Sequence, residues 1–238
     1  MNMSETALIQ PGDVIAVGDI HARYDLLEMF LEHVQGSLAC VILLGDIIDR
    51  GGQDIEVLSV VSSLLREPEI IGLSNFFCLM GNHEAMFVDA VVGSGEEWGT
   101  WLHNGGNFEV YGEMQDHLEW LSELPVYMTV GDTLFTHAGI VPGRDPYELV
   151  DKGKVDTLLW MREPFLSRGP EFEKWNPELK QIVFGHTPND LGQPYRIPDG
   201  ICIDTGAFYT NTLTAYNVTQ DAFYQFEKKR ERVQVLQE

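Results

Sequence analysis

Five short apolar runs along this chain are each followed, directly or after one glycine, by an aspartate, an asparagine or a histidine. The runs are VIAV, CVILL, FFCLM, TLFT and QIVF, and the polar residues beyond them include Asp19, Asp46, Asn82, His137 and His186. Runs of this length and composition predict buried strands. Ligands in open α/β sheets bind at the carboxyl ends of the strands, so we expect these side chains to meet on one rim. The chain is thereby restricted to folds that bring five strand ends to one edge.

The first half of the chain alternates strand patterns with helical patterns, which predicts an α/β fold. Val14–Val17 precedes apolar residues at helical spacing in residues 26–34, Cys40–Leu44 precedes a second such segment in residues 55–65, and Phe76–Met80 precedes a helix near Glu84–Val92. Three successive βα units predict a largely parallel, buried sheet. A chain of 238 residues is short enough to share one core, so we interpret residues 1–238 as a single domain.

The second half is richer in strands, and a segment of different character separates it from the first half. Residues 93–125 are rich in tryptophan, glycine and acidic side chains, and we interpret them as a small helical cap inserted over one edge. Gly131 and Asp132, between VYMTV and TLFTH, predict a β-hairpin. Further strands are predicted at residues 181–186, 201–206, 213–218 and 222–226, and residues 227–238 are expected to form a solvated end.

The net charge limits the partners of the protein. The sequence has 15 Lys and Arg against 37 Asp and Glu, which gives a formal net charge of −22. Such a charge repels nucleic acid and anionic lipid, so we expect neither nucleic acid nor a membrane as a partner. No stretch approaches the roughly 18 apolar residues of a membrane helix, and the opening residues lack the basic and apolar segments of a secretion signal. We therefore expect a cytoplasmic protein.

The ligand types at the strand ends favour a pair of divalent metal ions. A lone aspartate after a strand is usually a turn former, but five matched strand ends favour a metal site. Carboxylates, imidazoles and an amide oxygen, without thiolates, suit Mn, Fe or Zn. Two ions about 3.5–4 Å apart with a bridging carboxylate would use all six groups and hydrolyse a phosphoester by in-line attack of a bridging hydroxide. The six groups are Asp19, His21, Asp46, Asn82, His137 and His186.

Five motifs, in this order, resemble the signature of a known enzyme family. GDIHA, GDIIDRG, GNHE, HAG and GHT begin at residues 18, 45, 81, 137 and 185. They resemble the phosphoprotein phosphatases, which are metal-dependent serine/threonine phosphatases of the calcineurin-like metallophosphoesterase superfamily, and in particular their small bacterial and phage branch. The resemblance spans Asp19 to about Val218. It implies a four-layer α/β/β/α sandwich, in which two mixed sheets carry helices on their outer faces.

The resemblance also implies a role for each matched position. One ion would be bound by Asp19, His21 and Asp46, and the other by Asp46, Asn82, His137 and His186, so that Asp46 bridges them. His83 matches the general acid that protonates the leaving oxygen, and Asp49 matches the carboxylate that orients it. Arg50 and Arg162 match the arginines that hold the substrate phosphate. The implied cofactor is two divalent ions, with Mn as the first choice and Fe or Zn as alternatives.

The sequence departs from the family pattern at a few positions. Ala22 stands where a glycine usually follows the first histidine, and Met80 stands where a basic residue often precedes GNHE. Thr210 and Asn211 replace a glycine pair after DTG. These departures concern the choice of substrate rather than the metal ligands. A Trp-Leu-x-x-Gly-Gly element that ends at residues 105–106 either lines the substrate cleft or forms a tight loop.

The sequence therefore predicts a hydrolase of phosphoserine and phosphothreonine, with phosphotyrosine as a further substrate class and a phosphorylated protein or small phosphoester as partner. No cysteine has an arginine six positions later, so the cysteine-dependent phosphatase mechanism lacks its phosphate loop. One alternative is the symmetrical diadenosine tetraphosphate hydrolase, whose motifs typically read GDxVARG and GNHD. Asp49 and Glu84 favour the protein phosphatase instead. A catalytically inactive phosphate-binding scaffold is disfavoured, because the six ligands, the acid and both arginines are all present.

Overall fold

Eleven strands form two sheets in the computed structural model, which describes residues 9–93, 95–228 and 232–236. The strands are β1 (Val14–Val17), β2 (Cys40–Leu43), β3 (Asn75–Cys78), β4 (Tyr127–Val130), β5 (Thr133–Thr136), β6 (Gln181–Phe184), β7 (Tyr195–Ile197), β8 (Gly200–Cys202), β9 (Thr212–Asn217), β10 (Ala222–Glu227) and β11 (Arg232–Leu236). The first sheet has the order β11-β10-β9-β1-β2-β3, and the second has the order β4-β5-β6-β8-β7.

Helices connect most of these strands. The α-helices of the described residues are α1 (Tyr24–Val34), α2 (Asp54–Arg66), α3 (Asn82–Val92), α4 (Glu96–His103), α5 (Tyr111–Met114), α6 (Leu118–Ser122), α7 (Pro146–Asp151), α8 (Asp156–Leu159), α9 (Phe165–Arg168) and α10 (Ala207–Thr210). Short 3-10 helices span Pro68–Ile71, Phe108–Val110, Gln115–His117 and Phe172–Lys174. The three longest helices, α1 to α3, follow the three strands that were predicted to form βα units.

The two sheets lie face to face, with helices on the outer face of each. In β1, Ile15 and Val17 pack in the apolar cluster that includes Leu27 of α1. Ala16, which lies between them, packs instead with Phe135 of β5 in the cluster between the sheets. Helices α7 to α9 cover the other face of the second sheet. The four-layer α/β/β/α fold is therefore confirmed, and burial of both sheet faces explains why the strands read as continuous apolar runs.

The first sheet is mixed, whereas the βα pattern predicted a largely parallel sheet. Strands β1, β2 and β3 are parallel as predicted, but β9 pairs antiparallel with β1, and β10 and β11 continue the antiparallel half. The sequence pattern also misses β7, which pairs with β8, and β11, which pairs with β10. Residues 232–236 of the expected solvated end thus form a paired strand. Both missed strands lie at sheet edges, where few residues and one neighbour are enough, so no long apolar run marks them.

The segment between α3 and β4 forms a cap of short helices, as predicted. It contains α4, α5 and α6, and α4 packs against α3. Trp101, Met114 and Leu121 of these helices are fully buried in the apolar cluster on the helix side of the first sheet. The cap is thus anchored by a shared core.

Among the residues that the structure describes, no helix is both long and apolar enough to cross a bilayer. Residues 1–8, which belong to the segment interpreted as lacking a secretion signal, lie outside the described ranges.

Candidate active site

The ends of five strands meet at one cleft, which both sheets share. Strands β1, β2 and β3 run parallel in the first sheet, and β5 and β6 run parallel in the second. The cleft has a volume of about 460 Å³. Seven of the predicted site residues line it: Asp19, His21, Asp46, Arg50, Asn82, Arg162 and His186. The other three, Asp49, His83 and His137, are fully buried beside them. The structure thus brings all ten predicted residues together.

The turns that carry these side chains are held in an unusual backbone conformation. His21, Asp46, Asp49, Arg50 and His186 all have φ between 48° and 70°. Residues other than glycine rarely adopt this left-handed region, and those that do so cluster at functional sites, where the surroundings hold them in place. The strained turns therefore coincide with the predicted site.

Glycines precede four of the strand-end residues because the backbone there approaches its neighbours closely. A Cβ atom on Gly45 would lie 2.5 Å from the backbone nitrogen of Gly81, which cannot move aside. A Cβ atom on Gly185 would collide with the carboxylate of Asp19. These two glycines allow the side chains from neighbouring strand ends to share one small volume.

Asp46 lies between the two groups of predicted ligands. One carboxylate oxygen is 3.7 Å from His21 Nε2, and the other is 3.4 Å from His137 Nε2. The ligand atoms of Asp46, His137 and His186 all lie within 4.8 Å of one another, as do those of His21, Asp46 and His83. Each group is compact enough to surround one cation, and Asp46 belongs to both.

His137 is oriented as a metal ligand would be. Its Nδ1 atom donates a hydrogen bond to the Leu44 carbonyl at 3.0 Å, so Nδ1 carries the proton. Burial lowers the pKa of His137, which leaves the imidazole neutral and its Nε2 a lone-pair acceptor. That acceptor lies 2.9 Å from Asn82 Oδ1, which is also an acceptor. A cation bound by both acceptors would make this close approach favourable, so these residues fit a bound metal ion.

The other two predicted histidine ligands are also neutral. Burial lowers the pKa of His21 and that of His186 to about 3 in each case. His21 Nδ1 donates to the Ile48 carbonyl at 3.1 Å, which turns Nε2 toward Asp46. The Nε2 atom of His186 is buried and has no hydrogen-bond partner among the described residues. A buried nitrogen of this kind is explained by a ligand that completes its coordination.

Three buried carboxylates crowd the floor of the cleft. Burial, and then the negative charges of Asp204 and Asp46, raise the pKa of Asp19 well above its usual value. Burial likewise raises the pKa of Asp204 to about 7. Burial also raises the pKa of Asp46, but its interactions with His137, His83 and His21, and the His83 backbone N–H that it accepts at 2.9 Å, outweigh burial and lower it. A divalent ion would favour the ionised form of all three carboxylates, which again fits a metal centre.

Two residues are not where the predicted ligand set would put them: Asp19 is a predicted ligand outside the compact groups, and His83 is a predicted acid inside one of them. Asp19 accepts the His186 backbone N–H with both oxygens, at 3.1 and 3.2 Å, and it lies in neither of the two compact groups found among the described residues. His83 does lie in one of these groups, although the resemblance implies that it is the acid. Its Nε2 atom is 4.0 Å from Asp46 Oδ2.

His83 forms a tight pair with Asp49. Its Nδ1 atom donates to Asp49 Oδ2 at 2.6 Å, and both side chains are fully buried. The Nε2 atom of His83 has no hydrogen-bond partner within the described chain. Burial lowers the pKa of His83, but the carboxylates of Asp46 and Asp49 outweigh this and raise it. The pair therefore leaves one imidazole nitrogen unpartnered on the side of Asp46 and stabilises the protonated ring.

The structure also shows supporting residues that sequence reasoning did not identify as such. The Glu84 carboxylate accepts the backbone N–H groups of Gly81 at 2.9 Å, Asp46 at 2.8 Å and Ile47 at 2.9 Å. It thereby fixes the turn after β2 to the turn after β3. A glutamate at the third residue of α3, three positions after the residue that precedes the helix, is a capping pattern that the sequence could have shown.

The Trp-Leu-x-x-Gly-Gly element of the cap lies against the same turn. The Gly105 carbonyl accepts the Arg50 N–H at 3.1 Å, and the Asn104 carbonyl accepts Arg50 Nε at 3.3 Å. Asn104 also lines the cleft. Of the two interpretations of this element, the structure favours the one that places it beside the substrate cleft.

Comparison with known proteins places this geometry in a family. The sequence pattern of the calcineurin-like phosphoesterases matches residues 12–219. The chain is 31% identical over 229 residues to the serine/threonine-protein phosphatase PP1-delta of Caenorhabditis elegans, which covers 91% of this chain and 67% of that protein. It is 29% identical over 218 residues to serine/threonine-protein phosphatase 2 of Escherichia coli (strain K12), which covers 85% of this chain and 91% of that protein.

The fold also matches a solved structure whose name states a different activity. The crystal structure of a putative diadenosine tetraphosphatase superimposes with a TM-score of 0.61, at 22% identity, over 90% of this chain and 92% of that one. At this identity the match speaks for the fold alone. The family match covers most of the sequence and confirms the resemblance drawn from the five motifs. The chain belongs to the calcineurin-like phosphoesterase family.

Proposed function

We propose that this protein is a metal-dependent phosphomonoester hydrolase that acts on phosphoserine and phosphothreonine in proteins. The observation that carries the proposal is the meeting of the ligand set, the His83–Asp49 pair and Arg50 at one cleft. When bound, two divalent ions polarise the phosphoryl group and lower the pKa of the attacking water. Asp19, His21, Asp46, Asn82, His137 and His186 would hold these ions, with Mn as the first choice.

The His83–Asp49 pair handles the leaving group in this proposal. Asp49 holds the proton on Nδ1 of His83, so the opposite nitrogen, Nε2, is left without a partner among the described residues, 4.0 Å from Asp46 Oδ2. His83 protonates the leaving oxygen from Nε2 as the phosphorus–oxygen bond breaks, and the buried carboxylate of Asp49 stabilises the protonated ring until then. An alkoxide is a poor leaving group, so serine and threonine phosphates depend on this proton.

The two arginines hold the phosphate in an otherwise acidic protein. Arg50 and Arg162 line the same cleft, on the sides of the first and second sheets respectively. A guanidinium group can donate two parallel hydrogen bonds to phosphate oxygens, which fixes their orientation as well as their charge. With a net charge of −22, the protein needs such local positive charge to attract a phosphate dianion.

The substrate class rests on two residues and on the relatives. Asp49 and Glu84 occupy the positions at which diadenosine tetraphosphate hydrolases typically have alanine and aspartate. In this structure Asp49 bonds the proposed acid and Glu84 clamps the adjoining turns. The relatives that the chain matches over most of its length carry the names of serine/threonine phosphatases. We also propose a cytoplasmic location, for which the sequence composition is the support.

An activity screen tests the proposal. The metal-free protein would be supplied with Mn, Fe, Zn or Mg and assayed on phosphoserine and phosphothreonine peptides, a phosphotyrosine peptide and diadenosine tetraphosphate. We expect metal-dependent release of inorganic phosphate from the first two, with the highest rate in Mn. Turnover that survives removal of the metal contradicts the proposed mechanism, and preferred cleavage of diadenosine tetraphosphate assigns the protein to the alternative class.

The variant His83→Asn tests whether His83 is the general acid or a metal ligand. Both roles are compatible with its position, because metal-binding histidines commonly donate their second ring N–H to a carboxylate. If His83 is the acid, the variant keeps two metal ions per chain, and its turnover falls by about 100-fold on phosphoserine but far less on 4-nitrophenyl phosphate. Metal analysis and steady-state kinetics on the same sample measure both quantities. Loss of one ion, with equal rate losses on both substrates, would show that His83 binds metal.

A further inference from the structure

A tryptophan of the cap reaches into the His83–Asp49 pair. The indole Nε1–H of Trp101 lies 3.0 Å from Asp49 Oδ1 and 3.1 Å from Asp49 Oδ2, so it donates to both oxygens. Trp101 belongs to α4 and is fully buried. It does not line the cleft, so it contacts the site through Asp49 alone among the residues proposed to act on substrate. It is the tryptophan of the Trp-Leu-x-x-Gly-Gly element, and it lies outside the five motifs that carry the resemblance.

Asp49 needs a donor of this kind. Its side chain is fully buried, and its carboxylate already accepts the His83 Nδ1–H at 2.6 Å. Its backbone lies in the left-handed region, with φ of 69°, a conformation that persists only where surrounding contacts hold it. A buried carboxylate is stable in its charged form only when several donors satisfy its oxygens. The Trp101 indole supplies that second donor and fixes the plane of the carboxylate.

The indole is itself held firmly by its surroundings. Its ring packs against those of Phe87, Trp98 and Tyr111, with centroid distances of 5.5, 5.3 and 5.8 Å. The backbone of Gly106 lies so close to the indole that a Cβ atom there would collide with it. The direction of the Nε1–H bond is therefore set by the cap and not by the cleft.

We propose that Trp101 is a positioning residue for proton transfer to the leaving group, and that the cap acts on the reaction through it. This inference rests on the proposed phosphatase function. The indole aligns Asp49, which aligns His83, and His83 Nε2 delivers the proton to the leaving oxygen. In that step the oxygen of water forms the new bond to phosphorus, and the bond to the leaving oxygen breaks. The leaving oxygen takes its electron pair and the His83 proton, giving an alcohol and inorganic phosphate.

The role predicts a selective defect rather than a general one. Trp101→Phe keeps the ring and removes the N–H donor. We expect it to lower kcat for a phosphoserine peptide by about tenfold more than kcat for 4-nitrophenyl phosphate, because a nitrophenolate leaves without a proton. KM should stay within about twofold for both substrates, since Trp101 does not line the cleft. An unchanged ratio of the two kcat values would overturn the proposal.

Trp98→Phe is the matched control. Trp98 lies on the same helix and packs on the same rings, at 5.3 Å from Trp101 and 4.3 Å from Tyr111, but the indole hydrogen bond to Asp49 comes from Trp101. We expect this variant to leave the kcat ratio unchanged. A change equal to that of Trp101→Phe would mean that general packing of the cap is responsible. In a His83→Asn background, Trp101→Phe should have no further selective effect.

A measurement on the native side chain keeps the inference testable if Trp101→Phe does not fold. In the ¹⁵N-labelled protein, the Trp101 indole N–H should resonate downfield and exchange slowly, and Asp49→Asn should shift it more than any other indole N–H. An unmoved Trp101 signal would overturn the inference. If the wild-type protein hydrolyses neither substrate, the proposed function fails instead, and the resonance experiment still reports on the contact itself.

Discussion

The two walls of the cleft are built differently, and their arginines show the difference most clearly. Arg50, on the wall of the first sheet, donates to the carbonyls of Gly105 and Asn104 and approaches His21 Nε2 at 2.7 Å. Its guanidinium also lies 5.0 Å from the centre of the Phe208 ring. The guanidinium of Arg162, on the other wall, makes no hydrogen bond or ion pair within the described part of the chain. In the proposed mechanism, one arginine is therefore placed before substrate arrives, and the other would be ordered by it.

The difference follows from how each wall is attached. The turn after β2 carries Asp49 and Arg50 in left-handed conformations, so it depends on bonds from outside itself. Asp54 and Gly105 provide them, by accepting the backbone N–H groups of Asp49 at 2.7 Å and Arg50 at 3.1 Å. Arg162 follows α8 in a loop, and it is exposed just as Arg50 is, but among the described residues no such bond holds its side chain. A bonded wall suits transition-state stabilisation, because fixed charges need no reorganisation during the reaction. An open wall suits the capture of varied substrates.

Asp46 joins the two walls, so its loss should have the largest effect. Asp46→Asn removes the charge that both ligand groups share, and we expect kcat on a phosphoserine peptide to fall by about 1,000-fold and the metal content to drop below two ions per chain. Metal analysis and kinetics on the purified variant measure both. Asp132→Asn, in the exposed turn between β4 and β5, is the control and should change neither. Retention of two ions and full activity in Asp46→Asn would show that the two ligand groups do not depend on a shared Asp46.

The stability of the bonded wall, formed by the turns after β2 and β3, should be more sensitive to added side-chain volume than that of the other wall. Gly45→Ala places a Cβ atom 2.5 Å from backbone and keeps a φ of 95°, so we expect about 3 kcal/mol of lost stability. Gly52→Ala has a similar φ of 82° and open space around it, so about 1 kcal/mol is expected there.

On the other wall, Gly185→Ala meets a side chain, that of Asp19, which can yield. It should therefore cost less stability than Gly45→Ala and mainly weaken metal binding. Denaturant unfolding of the metal-free variants, with metal titration of each, measures these effects. An equal loss of stability in Gly45→Ala and Gly52→Ala would mean that close approach of the two turns is unimportant.

The two arginines should differ in which kinetic constant they control. Arg50→Ala should lower kcat by about 100-fold with a small change in KM, because a fixed guanidinium acts mainly on the transition state. Arg162→Ala should raise KM by about tenfold and leave kcat nearly unchanged, since ordering a free side chain offsets much of its interaction. Steady-state kinetics on one phosphoserine peptide tests both. Identical profiles for the two variants would contradict the proposed difference between the walls.

Ala22→Gly should have the smallest effect. Ala22 has φ of 50°, a conformation that favours glycine, but its methyl group is fully buried. Relief of about 1 kcal/mol of backbone strain is offset by the lost methyl burial and by the greater freedom of glycine in the unfolded chain. We expect a change below about 1 kcal/mol in the free energy of unfolding, and unchanged activity. A loss above about 2 kcal/mol would show that alanine is specifically required at this left-handed position.

The parts of this account that the sequence predicted are those with a local pattern. Apolar runs followed by Asp19, Asp46 or His186 mark both a strand and the polar residue at its end, so the proposed ligands and three of the parallel strands could be read directly. The His83–Asp49 pairing came from family resemblance, because nothing in the spacing of these residues shows that they touch. The structure shows the contact at 2.6 Å, and their proposed roles remain to be tested.

The parts that the sequence did not predict depend on contacts between distant segments. Trp101 lies 52 residues from Asp49, and no periodicity connects them. Strands β9 and β10 were predicted, but their antiparallel pairing was not, because β9 joins β1 from the far end of the chain. The edge strand β11 was missed because edge pairing leaves a short, weak pattern. The difference between a bonded Arg50 and an unbonded Arg162 side chain likewise depends on a distant segment, because the cap residues Asn104 and Gly105 bond Arg50.

Anomalous X-ray diffraction from crystals grown with Mn tests the central claim most directly, because it locates bound metal without reference to activity. The account predicts two peaks about 3.5–4 Å apart, with Asp46 between them, one near His21 and the other near His137 and His186. A single peak, or a pair of peaks in which Asp46 touches only one, would contradict it.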